Sequence, residues 1–155
     1  METRSPVFDV QALRQFVIEL WPKEMGATHG VAHWDRVARN GERLYVEGAD
    51  REVIAAFAYL HDSQRHSNGP DLEHGPRAAR FVDTLRHTYL EALSDEQIAL
   101  LKQACELHTV EHRTGNLTVD ICFDADRLDL TRVGITPNPH RMATALGARL
   151  ASSSS

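Results

Sequence analysis

At 155 residues the chain suffices for one domain around one core, and its length asks for no second unit. Apolar residues make up 42% and charged residues 25%, ordinary proportions for a soluble globular protein that exclude a disordered or collagen-like class. With a net charge of -5 and its Lys and Arg scattered along the chain, it lacks the broad basic field of a nonspecific nucleic-acid binder. A local group of arginines could still hold a phosphate.

Apolar residues recur at three- and four-residue spacing almost throughout, and alternating β-branched runs are nearly absent, so the fold class is all-α. In chain order the helices are expected at about 9 to 20, 31 to 47, 50 to 62, 76 to 91, 95 to 110, 119 to 130 and 138 to 149. Pro22 stops the first, and Gly48 ends the second just before Asp50 caps the third. Ser67, Asn68, Gly69 and Pro70 force a loop between Ser63 and Gly75, and Pro76 suits a first helical turn. Ser94 with Gln97 three residues later forms a capping-box pattern ahead of Ile98 and Leu101. Polar breaks follow at Arg113 to Thr118 and at Thr136 to Pro139. A single domain over 1–150 and a disordered tail at 151–155 are expected.

Cys105 and Cys122 each fall in an apolar helical segment and are expected to be reduced core thiols. The opening METRSPVFDV has no basic patch followed by an apolar run, and no stretch approaches the roughly eighteen apolar residues of a membrane span. Cytoplasmic residence and no membrane partner are the corresponding expectations.

Function is carried by polar residues on faces that should be buried. His33 lies one turn before Val37, on the margin of a face that runs through Trp34, Ala38, Gly41, Leu44 and Tyr45. His61 continues the stripe of Val53, Ile54, Phe57, Ala58 and Leu60, with Asp62 at the helix end. Asp126 takes a slot in the series Val119, Cys122, Leu130 where Leu or Ala would ordinarily sit. Singly, an inward histidine is usually a hydrogen-bonded core residue and an aspartate an ion-pair or capping partner. Together, two imidazoles and two carboxylates suit one divalent transition metal, Mn, Fe, Co, Ni or Zn, which would offset the burial of all four.

The segments HGVAHWDRVARNGERL at 29 to 44, YLHDSQRH at 59 to 66 and DADRLDL at 124 to 130 resemble the HD superfamily of metal-dependent phosphohydrolases, over roughly 29 to 130. The resemblance implies a single HD-type helical domain in which His33, His61, Asp62 and Asp126 hold an ion. HGPRAARF at 74 to 81 and His108 with Thr109 look like the segments of HD enzymes that hold two metals, which would add His74 and His108 as ligands of a second ion. One ion is expected, with the second left open. Alternatively, His74 is a solvated residue ahead of a helix and His108 complements a helix dipole. Arg65 and Arg77 are candidates for stabilising charge on a phosphoryl group, against the alternative that each is a surface arginine. His29, His66, His87, His112 and His140 receive no role.

The implied activity is hydrolysis of a phosphate ester or anhydride on a small phosphorylated substrate such as a nucleotide. Metal-activated water would attack, oriented by Asp62 and aided by Arg65 and Arg77. A di-iron HD-type oxygenase using His74 and His108 is an alternative, and a nucleotide- or partner-binding module with a structural metal site is another.

Overall fold

In the computed structural model, which describes residues 7–153, seven α-helices and three short 3-10 turns surround one core, and no strand occurs among the described residues. Residues 1–6, read above as carrying no targeting signal, and the last two residues of the tail lie outside the described residues. No helix among the described residues is long and apolar enough to cross a membrane.

The centre of the fold is α3 (Arg51–Leu60), whose Val53, Ile54 and every residue from Ala56 to Leu60 are buried. A helix apolar on nearly every side must be enclosed, and α1 (Val10–Leu20), α2 (Val31–Leu44), α5 (Asp95–Leu107) and α6 (Leu117–Arg127) pack around it. Its start is fixed by the Asp50 carboxylate, which accepts the Val53 N–H at 3.1 Å. Its end lies inside the protein, so the two residues that follow, His61 and Asp62, are carried into the interior by the backbone itself. One polar tie binds three helices across the outside of this core. Arg14 of α1 grips Asp35 of α2 through two bonds of 2.9 Å, and the Tyr59 hydroxyl of α3 donates to the same carboxylate at 2.8 Å.

The capping box on α5 is present as expected, with Ser94 and Gln97 exchanging bonds of 2.8 and 3.1 Å. Both cysteines are free and buried, and burial raises both thiols above their ordinary range.

The largest differences from the expected boundaries lie in α4 and near the C-terminus. Helix α4 (His74–Thr84) ends seven residues before the expected position 91. Leu85, Leu90 and Leu93 are buried by successive turns rather than by a continuing helix, with the Leu90 and Thr88 N–H groups both donating to the Leu85 carbonyl. The periodicity of those leucines is that of a core contact, and turns satisfy it equally well. Near the C-terminus, the expected helix over 138–149 is a 3-10 turn at Pro139–Arg141 followed by α7 (Ala145–Ser153). The break arises because Asp124, wholly buried, captures the Ala143 and Thr144 N–H groups and the Thr144 hydroxyl, fixing where α7 can begin. Ala151, Ser152 and Ser153 therefore belong to α7, and Ala151 is buried, where the sequence reading assigned a disordered tail.

Helices α4 and α5 approach so closely at Gly75 that an added Cβ would lie 2.7 Å from the Cys105 carbonyl oxygen and 3.0 Å from that of Glu106. Both obstacles are backbone, which cannot rotate aside. Replacing Gly75 by Ala should therefore push the two helices apart and cost about 1–3 kcal/mol of stability, measured by urea denaturation. A midpoint equal to that of the native protein would show that the approach is looser than this.

Candidate metal centre

Five helices each deliver one segment to the same place. His33 comes from the first turn of α2, His61 and Asp62 from the end of α3, His74 from the start of α4, His108 from the end of α5 and Asp126 from the last turn of α6. The C-terminal ends of α3, α5 and α6 carry partial negative charge, which favours a cation where they meet. The Asn40 amide of α2 donates to the Ala125 carbonyl at 3.0 Å and so fixes the turn of α6 that presents Asp126.

The orientation of the rings is decided from behind. His33 Nδ1 lies 2.7 Å from Asp129 Oδ2, His61 Nδ1 lies 3.1 and 3.0 Å from the Phe57 and Ala58 carbonyls, and His108 Nδ1 lies 2.6 Å from the Cys105 carbonyl. His74 Nδ1 faces the Asp71 carbonyl. Each of these partners accepts, so each Nδ1 carries a proton, and a ring that gives up its other proton to a cation presents an Nε2 lone pair. Those four Nε2 atoms point at one another in pairs, His33 to His61 at 3.0 Å and His74 to His108 at 3.1 Å.

Carboxylates complete both pairs. Asp62 Oδ2 is 3.1 Å from His33 Nε2 and 3.5 Å from His61 Nε2, and Asp126 Oδ1 is 3.3 Å from each of the same two atoms. The other Asp62 oxygen, Oδ1, is 3.1 Å from His74 Nε2 and 4.0 Å from His108 Nε2. Two donor groups result, His33 with His61 and Asp62, and Asp62 with His74 and His108, each able to hold a metal ion, with one carboxylate belonging to both. Lone pairs and carboxylate oxygens at hydrogen-bonding separations repel unless a cation or a proton lies between them. Asp126 Oδ1 is buried without a hydrogen-bond partner, as expected of an atom placed for an ion.

The electrostatics express the same demand. Burial alone would lower His33, yet the carboxylates of Asp126, Asp129 and Asp62 push it up to about 10. His108 moves the opposite way, to about 4, because burial and the neighbouring His61 both disfavour a charge there. Burial opposes ionisation of Asp62 and Asp126, but His61 and the surrounding imidazoles outweigh it and hold both carboxyls well below the usual range.

Thus the structure brings His33, His61, Asp62 and Asp126 together, and it adds His74 and His108 as the second group that the sequence left open. Both are buried, so His74 is not a solvated residue ahead of a helix, while His108 does stand at the C-terminal end of α5. Arg65 and Arg77 part company. Arg65 Nε is buried 3.4 Å from Asp62 Oδ1 with no hydrogen-bond partner, while its NH1 donates to the Ser67 and Gly69 carbonyls. The Arg77 guanidinium is committed to the Asp71 carboxylate and, at 3.0 Å, to the Gln64 carbonyl. It clasps the 63–73 loop whose Asp71 carbonyl orients His74, and no contact among the described residues joins it to the ligands. That placement gives Arg77 a role in holding the loop that carries the His74 partner.

Asp129, which sets the His33 ring and is itself held by Arg36 at 2.7 Å, was not singled out from the sequence. A signal for it exists. Arg36 follows His33 by three residues and Asp129 follows Asp126 by three, a spacing that puts each pair on neighbouring surface of its segment. His29, left without a role by the sequence, is buried beside Asp62 with its Nδ1 3.5 Å from Oδ2. His66, His87, His112 and His140 are exposed.

A pH test follows from these shifts. With no ion bound, the raised His33 contributes stability that is fully present below its ordinary value of 6.5 and is lost as the pH rises through about 10. The lowered Asp62 and Asp126 contribute stability present above the ordinary carboxylate value of 3.8 and lost in more acid solution. The melting temperature of chelator-treated protein should fall between pH 7 and 10, and adding a divalent ion should flatten that decline by displacing the His33 proton. Equal slopes for treated and metal-supplemented protein would contradict the assignment of His33.

No family model matches the chain, and no curated protein matches it. Among solved structures, the crystal structure of a predicted HD superfamily hydrolase from an uncultured Thermotogales bacterium is similar to it at 24% identity, covering 93% of this chain and 83% of the other with a TM-score of 0.75. That likeness concerns the fold, and the paired His-Asp groups described above are features of this chain itself. The protein therefore shares the fold of that HD-type structure, with its own His61-Asp62 pair at the centre.

Proposed function

We propose that the protein is a divalent-metal-dependent hydrolase of phosphate esters or anhydrides, acting on a nucleotide or another small phosphorylated metabolite. The observation that carries this reading is the Asp62 carboxylate shared between two groups of inward imidazole lone pairs, with the unpartnered Arg65 Nε beside it. Such nitrogen and oxygen donor sets accept first-row divalent ions, which when bound would supply Lewis acidity and bring a water toward ionisation at neutral pH.

The chain's own residues set the rest. Asp62 belongs to both groups, so with an ion bound it would be the carboxylate that orients the water. Arg65 is anchored by two backbone carbonyls and holds its Nε–H beside Asp62 without a hydrogen bond, a donor suited to an oxygen on which charge accumulates. Hydrolysis would join the water oxygen to phosphorus, break the phosphorus to leaving-oxygen bond and return a proton to that oxygen. The hydrolase named in the structural comparison supports the general class, and the arginine beside the shared carboxylate supports a phosphorylated substrate.

The presence of His74 and His108 at the second group also favours the alternative of a di-iron oxygenase. Anaerobically prepared protein separates the two: oxygen uptake that depends on two irons would favour oxidation, and turnover with a redox-silent ion would exclude it.

The direct test supplies purified protein with Mn, Co, Ni, Fe or Zn and measures phosphate release from nucleotides and phosphate esters. Asp126→Ala should lose bound metal by elemental analysis and lower turnover by at least about 10-fold to 100-fold while the protein remains folded. Full metal content and full turnover in that variant, or no hydrolysis with any ion, would count against the proposal.

A further inference from the structure

The two oxygens of Asp62 are not equivalent. On the Oδ1 side the unpartnered buried atom is a donor, Arg65 Nε, while on the Oδ2 side it is His29 Nδ1, 3.5 Å from that oxygen. His29 precedes α2 and its side chain is only 10% exposed. Its other nitrogen, Nε2, lies 3.3 Å from the Asn68 carbonyl. A carbonyl only accepts, so Nε2 carries a hydrogen, and in the neutral form of the ring Nδ1 turns an acceptor lone pair toward the cluster. Backbone on either side holds the ring in place: Trp34 Nε1 donates to the His29 carbonyl at 2.7 Å, and Asn68 is tied back through its amide to the Met25 carbonyl.

A buried acceptor aimed at a carboxylate oxygen calls for a hydrogen donor between or beside them, since two acceptors do not satisfy each other. Of small species that fit among metal-ligand atoms, water brings such a donor. We infer that His29 is a positioning residue that accepts a hydrogen bond at Nδ1 from the attacking water, an inference that rests on the hydrolase reading above. The site is then polarised. Water is held on the His29 face of Asp62 and the phosphoryl oxygen is drawn to the Arg65 face, which sets the direction of attack.

A bland role exists for the same residue, since the Nε2 contact alone could serve to anchor the 63–73 loop. Two substitutions separate them. His29→Asn keeps a polar atom near the Nδ1 position and gives up the Asn68 contact, whereas His29→Gln reaches the Nε2 position and loses the inner acceptor. Full-length native protein and both variants are loaded with Co(II). Ion content, the visible absorption of the bound cobalt and turnover of bis(p-nitrophenyl) phosphate are then compared.

All three proteins should hold the same amount of cobalt. His29→Asn should keep the native spectrum and kcat, while His29→Gln should show a shifted spectrum and a kcat lower by about 10-fold or more at unchanged KM. An unaltered spectrum in His29→Gln overturns the inference, as does the same loss in both variants, which would mark the loop contact as the role. Loss of an ion in either variant would make His29 a ligand and overturn it too. If native cobalt protein hydrolyses nothing, the phosphohydrolase reading falls, and the cobalt spectra still decide His29.

Discussion

The arrangement depends on one constraint: four imidazole rings have their Nδ1 protons committed to acceptors behind them, so the Nε2 lone pairs have nowhere to face but each other. A cation among them would resolve this, and the Asp62 carboxylate belongs to both groups of candidate ligands. Everything near the cluster serves the same end. Asp129 and its arginine hold His33, the last turn of α3 holds His61, and the close α4–α5 crossing at Gly75 brings His74 to His108.

The helical core and the ligand ends are therefore one design. α3 is buried on nearly every side, which makes it the most constrained element of the fold, and it is the element that ends in the His-Asp pair. Ligands placed on the ends of enclosed helices keep their positions because moving them would open packed apolar surface. The 63–73 loop is treated differently. It contributes no apolar core, and polar clasps hold it instead: Asp71 takes the His66 N–H and the Arg77 guanidinium, which together outweigh burial and bring its carboxyl down to about 2.

Much of this was legible in the sequence, because the core positions of amphipathic helices are readable and a polar residue among them stands out. His33, His61 and Asp126 could be picked out that way, and the capping box on α5 was fixed by two residues three apart. The second group was harder to read. His74 and His108 sit at helix ends, where periodicity says little about burial, and the chain alone did not show that the short loop after Asp62 could bring His74 back to it. Arg77 illustrates another limit, since an arginine near a ligand in sequence has a long side chain that tertiary contacts can turn toward a loop. The early stop of α4 and the late start of α7 depended on long-range events, a leucine-lined turn and the capture of Thr144 by Asp124.

The ligands differ in their access to solvent. His33 and His61 side chains are wholly covered and those of Asp62, His74 and His108 nearly so, but Asp126 keeps 21% of its side chain exposed. Of the six candidate ligands, the carboxylate at the end of α6 is thus the one most open to solvent. Any molecule arriving from solution would therefore meet that carboxylate before the imidazoles packed behind it.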